Sequence, residues 1–150
     1  LPLGKRVPSD CSQIDFIMKK YRTLNKQIFH SGEFSLVPIR YEDRYKIMKW
    51  RNEQIYHLRQ DEPLTKEKQD HYFQNVVAQL FDKKKPSQLL FSFLKKGELK
   101  GYGGLVRINW IDKNAEISFL MKTSEESENF SIYWFNYLDM IEEVAFTQLG

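Results

Sequence analysis

The residues of this chain most able to do chemistry are its isolated carboxylates, a glycine run and an arginine-asparagine pair. Glu116 is the most informative of them. It lies in Ala115-Glu116-Ile117-Ser118-Phe119-Leu120-Met121. Strand alternation there puts Ala115, Ile117, Phe119 and Met121 on one face and Glu116, Ser118 and Leu120 on the other. A carboxylate flanked by core residues is costly unless it is paired or functional. Glu116 therefore reads either as a working acid-base group or as half of an ion pair with a neighbouring strand, with Arg107 as the candidate. In Trp50-Arg51-Asn52 the two polar residues close a helical pattern, where they either bind a ligand or cap the helix end.

Gly101-Tyr102-Gly103-Gly104 has the composition of a phosphate loop but not its context, because such loops run from a strand into a helix N-terminus. Here the glycines sit inside a hairpin strand, which predicts a bulge or a close approach of another backbone or ligand. Glu67 and His71 lie one helical turn apart, with no suitable third ligand nearby. They predict a solvated helix face and no metal. The lysines at 83–85, 95, 96 and 100 have no interleaved aromatic residues and read as solvated turns, so nucleic acid is not an expected partner.

These residues need a scaffold, and the pattern supplies one. Residues 34–39 alternate as a strand. Tyr41, Tyr45 and Met48 recur at helical spacing, with Glu42 and Asp43 in the first turn. Thr65 is the expected N-cap of a second helix whose apolar stripe is Tyr72, Phe73, Val76, Val77, Leu80 and Phe81. Strands follow at 88–94, 99–108 and 115–121, with a short hairpin turn at 95–98 and another turn at 112–114. The last helix, 130–146, is apolar on nearly every side, which predicts that it is largely buried. The order strand, helix, helix, three strands, helix is an α+β or mixed α/β domain.

Composition narrows the class. The chain has 150 residues, 41% of them hydrophobic, and one cysteine. A disordered chain, an internal disulfide and a cysteine-rich zinc site are excluded. No apolar run approaches the roughly 18 residues of a membrane span. The expectation is a soluble, reduced, cytoplasmic domain with no membrane partner, and with Cys11 as a spare thiol. Charge is uneven: the first 50 residues hold 10 basic and 5 acidic side chains, and the last 50 hold 3 and 8.

In order and spacing these pieces resemble the front two thirds of a Gcn5-related N-acetyltransferase (GNAT) domain. Leu36-Val37-Pro38-Ile39-Arg40 resembles the first strand of that family. Trp50-Arg51-Asn52 resembles the WRN sequence of its ribosomal-protein and nucleotide-aminosugar acetyltransferase branch. Gly101-Tyr102-Gly103-Gly104-Leu105 and residues 115–120 resemble its third and fourth strands, and Ala145-Phe146 with Leu149-Gly150 resembles the end of its third helix.

The resemblance implies a mainly antiparallel sheet flanked by helices, in the order β-α-α-β-β-β-α. It implies an extension over residues 1–33, partly helical or mobile, before a domain at 34–150. It also implies acetyl transfer from acetyl-CoA, without a metal, to a small-molecule or peptide primary amine. In that family a bulge on the fourth strand binds the pantetheine arm through free backbone groups, which would lie around Leu120, Met121 and Lys122. A backbone N–H there would stabilise the developing oxyanion. Glu116 would take the amine proton directly or through water. Arg51, Asn52 and Tyr102 would lie on the acceptor side. The acceptor itself stays open among aminosugar nucleotides, protein N-termini, antibiotics and polyamines.

The family holds the CoA pyrophosphate on a glycine loop opening the third helix. Residues 122–131 contain three glutamates and no glycine, so phosphate contacts would fall to Asn129, Ser131 and free N–H groups at the helix start. A full family domain also continues past the third helix. The expectation is that the fold is incomplete at its C-terminus, being continued in a longer protein, completed by a partner chain or homodimer, or altered. The alternative function is a non-catalytic GNAT-like domain used for binding or oligomerisation.

Overall fold

A computed structural model describes residues 20–58 and 60–149; Cys11 lies outside the described residues. Among the described residues five strands form one antiparallel sheet in sequential order. They are β1 (Phe29–Ser31), β2 (Phe34–Pro38), β3 (Leu89–Lys95), β4 (Glu98–Asn109) and β5 (Asn114–Met121). Between β2 and β3 come α1 (Arg44–Glu53) and α2, which runs Lys66–Tyr72 and continues through a π-helical turn, Phe73–Val77, to Ala78–Leu80. After β5 comes α3 (Glu126–Glu143).

The observed order therefore adds one strand, β1, ahead of the expected set. Of the segment 1–33, residues 20–33 are described, and they pack into the fold as loop and strand. Two-residue turns make the short hairpins. Gly32 (φ 60°) closes β1–β2, and Lys96 (φ 50°) with Gly97 (φ 81°) closes β3–β4. Both central positions are left-handed in the β3–β4 turn and only the first in the β1–β2 turn, and either pattern matches the twist of the flanking strands. Between β4 and β5 the Asn109 side-chain oxygen accepts from the Ile111 and Asp112 N–H groups at 3.1 and 3.0 Å, an Asx turn.

Alternation along the strands assigns the two faces. On one, Phe34 stacks on Phe93 at 5.3 Å, and Tyr133 and Tyr137 of α3 meet them at steep angles. On the other, Trp50 of α1 packs with Leu94, Leu99 and Leu120, and the Thr65 hydroxyl caps α2 by accepting from Lys68 N–H at 3.2 Å. The glycines of β4 serve close approach rather than phosphate binding. A Cβ on Gly103 would collide with the Ser118 carbonyl oxygen and the Tyr137 hydroxyl, and one on Gly104 with the Leu89 carbonyl. The Tyr137 hydroxyl donates to Ser118 O, which seats α3 directly over β4 and β5.

The structure refines the reading of α1 and corrects the burial expected of the last helix. In α1 the buried residues are Ile47 and Trp50, while Tyr41, Tyr45 and Met48 are half-buried. The tyrosine rings are held at the surface beneath the Arg44 guanidinium, at 3.7 and 4.3 Å from their centroids. In α3 and the π-helical turn that follows it, Val144–Gln148, only one face is buried, through Tyr133, Tyr137, Met140, Ile141 and Val144. Phe130, Ile132, Phe135 and Phe146 remain exposed. Among the described residues no helix is long and apolar enough to cross a membrane.

Two polar anchors fix the ends of this scaffold. The buried Tyr21 hydroxyl donates to Leu90 O at 2.7 Å and accepts from Leu90 N–H at 2.9 Å, while its ring stacks on Phe81 at 4.5 Å. Glu125, just before α3, accepts from Lys100 Nζ at 2.7 Å and from the Tyr133 hydroxyl at 2.5 Å. Burial opposes ionisation of Glu125, but these two donors outweigh it and hold the carboxyl below the usual range. Burial and Glu125 push the Tyr133 hydroxyl up to about 12.

Tyr21→Phe should cost about 1–3 kcal/mol in denaturant unfolding, because it leaves the buried Leu90 N–H without its acceptor. A carboxyl whose folded pKa is depressed stabilises above its unfolded value and loses that contribution as pH falls through the folded one. Glu125→Gln should therefore lower the melting temperature at neutral pH and flatten its decline below about pH 4.3. An unchanged acid limb in that variant would contradict the role given to this carboxylate.

Candidate active site

A cleft of about 690 Å³ opens between α1, α2 and the middle of β4. Ile39, Ile47 and Phe73 form its apolar base, Tyr72 and Val76 stand on its α2 wall, and Tyr102 closes it on the sheet side. The stripe expected of α2 splits for this reason. Phe73, Val77, Leu80 and Phe81 enter the core, while Tyr72 and Val76 are 36% and 40% exposed and face the opening. The π-helical turn supplies Phe73 and Val76, a geometry common where a helix shapes a site.

Arg51 leaves the last turn of α1 and enters this cleft. Its Nε donates to Gln60 Oε1 at 2.9 Å and its Nη1 to the Tyr102 hydroxyl at 2.7 Å. Both acceptors are neutral, and no ion pair joins Arg51 to a carboxylate among the described residues. Tyr102 is therefore an orienting group as well as a wall. Asn52 is committed elsewhere. Its amide brackets Leu64, donating to the carbonyl at 3.0 Å and accepting from the N–H at 2.7 Å, and its oxygen also takes Gln60 Nε2 at 3.1 Å. It is a staple for the loop between α1 and α2. Glu67 and His71 line the cleft from α2; among the described residues no group of three or more His, Cys, Asp and Glu could hold a metal ion.

The cleft meets β5 through Tyr102, which lies directly opposite Leu120. Pairing of β4 with β5 is regular from Val106–Glu116 to Gly101–Met121, and Lys122 N–H continues it to Lys100 O at 2.7 Å. The bulge expected around Leu120–Lys122 is absent. The irregularities of β4 lie between Val106 and Asn109, where Arg107 adopts φ 51°, and on the β3 side at Phe93–Leu94. By the alternation of an antiparallel ladder, Phe119 and Met121 turn their backbone groups to the outer edge of β5. Gln54, a buried residue the sequence reading passed over, donates from Nε2 to Met121 O at 3.0 Å and to Thr123 Oγ1 at 3.1 Å. It ties the end of α1 to the end of β5.

Glu116 sits apart from this cluster. Its side chain is 53% exposed and pairs with Arg107 at 3.6 Å, the ion-pair alternative read from the sequence. The expected burial is missing because Ala115 and Ile117 beside it are exposed as well. It stands four positions from Leu120, roughly 13 Å along a strand.

The start of α3 fits a pyrophosphate poorly. Glu126 and Glu128 lie in its first turn. Glu125 precedes them, bound to Lys100, which also pairs with Glu98 at 2.9 Å. Asn129 Nδ2 is turned toward Glu125 Oε1 at 3.4 Å, and Ser131 is exposed. A dianion placed here would meet more negative than positive charge, which opposes the attraction that the helix N-terminus would otherwise exert on it. The outer edge of β5 carries the Met121 N–H, while the Met121 carbonyl accepts from Gln54.

Residues 36–150 match the family model of the acetyltransferase (GNAT) domain. No curated protein matches the sequence. Among solved structures, a Vibrio cholerae spermidine N-acetyltransferase in complex with CoA and spermine is similar at 17% identity and TM-score 0.62, over 79% of this chain and 67% of that one. A dodecameric form of the Vibrio cholerae spermidine enzyme is similar at 19% identity and TM-score 0.58, over 79% of this chain and 66% of that one. A GCN5-related N-acetyltransferase from Brucella melitensis follows at 16% identity and TM-score 0.58, over 88% of this chain and 60% of its own. The chain thus spans two thirds or less of the length of most of these structures, and at such identities the likeness is one of fold. With its sheet order, its cleft and a family match over most of its length, the chain belongs to the GNAT acetyltransferase family.

Proposed function

We propose that this domain transfers the acetyl group of acetyl-CoA to a primary amine bound in the cleft between α1 and α2. The observation that supports this reading best is the register of Tyr102 with Leu120. It sets Tyr102, the sheet-side wall of a mostly apolar cleft, beside the strand whose outer edge carries the Met121 N–H. Acetyl-CoA would supply a thioester; the amine nitrogen attacks its carbonyl carbon, the C–N bond forms, the C–S bond breaks, and the thiolate gains a proton as the amine loses one.

The chain's own part is positioning and proton handling. The apolar base excludes water and strengthens each polar contact above it. In this reading the Met121 N–H, which points off the edge of β5, donates to the carbonyl oxygen as negative charge develops on it. Glu67 is the carboxylate that the cleft presents, and it takes the amine proton directly or through water. Glu116 is not carried into this role because it stands about four residues down the strand in an exposed ion pair.

A second reading, a GNAT-like domain that binds without catalysis, is favoured by one observation, the acidic first turn of α3. Two measurements separate the readings. Acetyl-CoA at 100 times its Kd should stabilise the protein by about 2.7 kcal/mol, seen as a rise in melting temperature, and free thiol should appear when an amine is added. No shift and no thiol at millimolar acetyl-CoA would overturn the transferase reading. The Glu126→Gln, Glu128→Gln double variant should bind acetyl-CoA about 3- to 30-fold more tightly by removing two like charges from the helix start. Unchanged affinity would mean that the diphosphate lies away from α3.

A further inference from the structure

We propose that the acceptor amine carries an anionic group, a carboxylate or a phosphate, which docks on Arg51. This rests on the transferase reading of the same cleft and narrows its substrate. Three charged side chains line the cleft, Arg51, Glu67 and Lys68. Lys68 is already spoken for, through an ion pair with Glu62. Arg51 and Glu67 are left without an ion-pair partner among the described residues. One cation and one anion across an apolar cleft match a molecule bearing both charges. A polyamine would bring two or three ammonium groups to a single carboxylate and set one of them against a guanidinium.

The setting of Arg51 is that of a recognition group. A guanidinium offers five N–H donors in a fixed fork and pairs with carboxylate or phosphate through two parallel bonds. Here Nε is held by Gln60 Oε1 and Nη1 by the Tyr102 hydroxyl, so the donors left to meet an anion are those of Nη2 and the second N–H of Nη1. Both acceptors are neutral, so they orient the group without cancelling its charge. The Asn52 amide in turn holds Gln60 Nε2 at 3.1 Å, so the guanidinium is supported from behind by the loop. Tyr102 then joins the two ends of the reaction, with its hydroxyl on Arg51 and its backbone opposite Leu120. An anion on Arg51 would leave the amine end of a short molecule directed along Tyr102 toward β5.

The test titrates four short primary amines into the isotopically labelled protein without acetyl-CoA and follows amide shifts of the cleft. Phosphoethanolamine and β-alanine carry a phosphate and a carboxylate, ethanolamine carries neither, and 1,3-diaminopropane carries a second amine. At least one anionic amine should bind tenfold or more tightly than ethanolamine, and the better of the two names the anion. Arg51→Gln should bring all four within about twofold of each other. Tyr102→Phe, which keeps the ring and loses only the orienting hydroxyl, should weaken the anionic amines severalfold and leave ethanolamine unchanged. Tighter binding of 1,3-diaminopropane than of both anionic amines would overturn the proposal. So would an anion preference that survives in both variants. Because no donor is present, these results stand apart from the acetyl-CoA titration, whose failure would remove the transferase reading alone.

Discussion

The structure depends on β4 having no side chain on one face over its middle. That strand pairs with β3 on one side and β5 on the other, and α3 lies across it. The space a Cβ on Gly103 would need is held by the Ser118 carbonyl and the Tyr137 hydroxyl. With that space free, Tyr137 reaches the backbone of β5, its ring stacks on Phe119 at 4.2 Å, and α3 settles onto the sheet. Interiors pack to crystal-like density, so a methyl group at this point would displace a helix rather than a side chain. The next residue back, Tyr102, projects to the opposite face and closes the cleft. One short sequence thus seats a helix on one face and aims an arginine on the other.

The cleft exists because α1 and α2 are spread apart and pinned by amides. Asn52, Gln54 and Gln69 do the pinning: Asn52 on Leu64, Gln54 on Met121 and Thr123, and Gln69 on Arg44 O at 2.7 Å. Gln54 and Gln69 are buried, and burial of an amide is tolerable only when its hydrogen bonds are made. No buried side-chain nitrogen or oxygen among the described residues lacks a partner. The loop between the helices is therefore held by directional contacts as well as by Leu58, which packs against the cluster of Trp50, Leu94, Leu99 and Leu120, and an open volume survives beside it.

What the sequence made legible was local chemistry. Gly97 in a short polar turn marked the β3–β4 hairpin, Thr65 marked the start of α2, and the glycines of β4 marked a close approach. The order of the later elements followed from periodicity. What escaped depended on tertiary partners. β1 is three residues long, too short for alternation to register. Glu116 looked buried because Ala115 and Ile117 are apolar, yet that end of β5 is exposed and its carboxylate pairs with Arg107. The apolar residues of α3 outnumber the area one sheet face can cover, and several stay exposed. At the site, Arg51 and Tyr102 could be singled out by type, but their meeting joins residues 51 positions apart that nothing local connects. Gln54 carried no signal at all, since a glutamine at a helix end is ordinary until its partners are known.

The central claim is that the cleft under α1 and α2 receives the amine and delivers it to the edge of β5. A crystal structure grown with CoA and phosphoethanolamine tests this most directly. The account places the phosphate about 3 Å from the Arg51 guanidinium, with the amine beyond the Tyr102 ring toward Leu120. Density for the amine elsewhere on the protein, with the cleft holding only water, would contradict it.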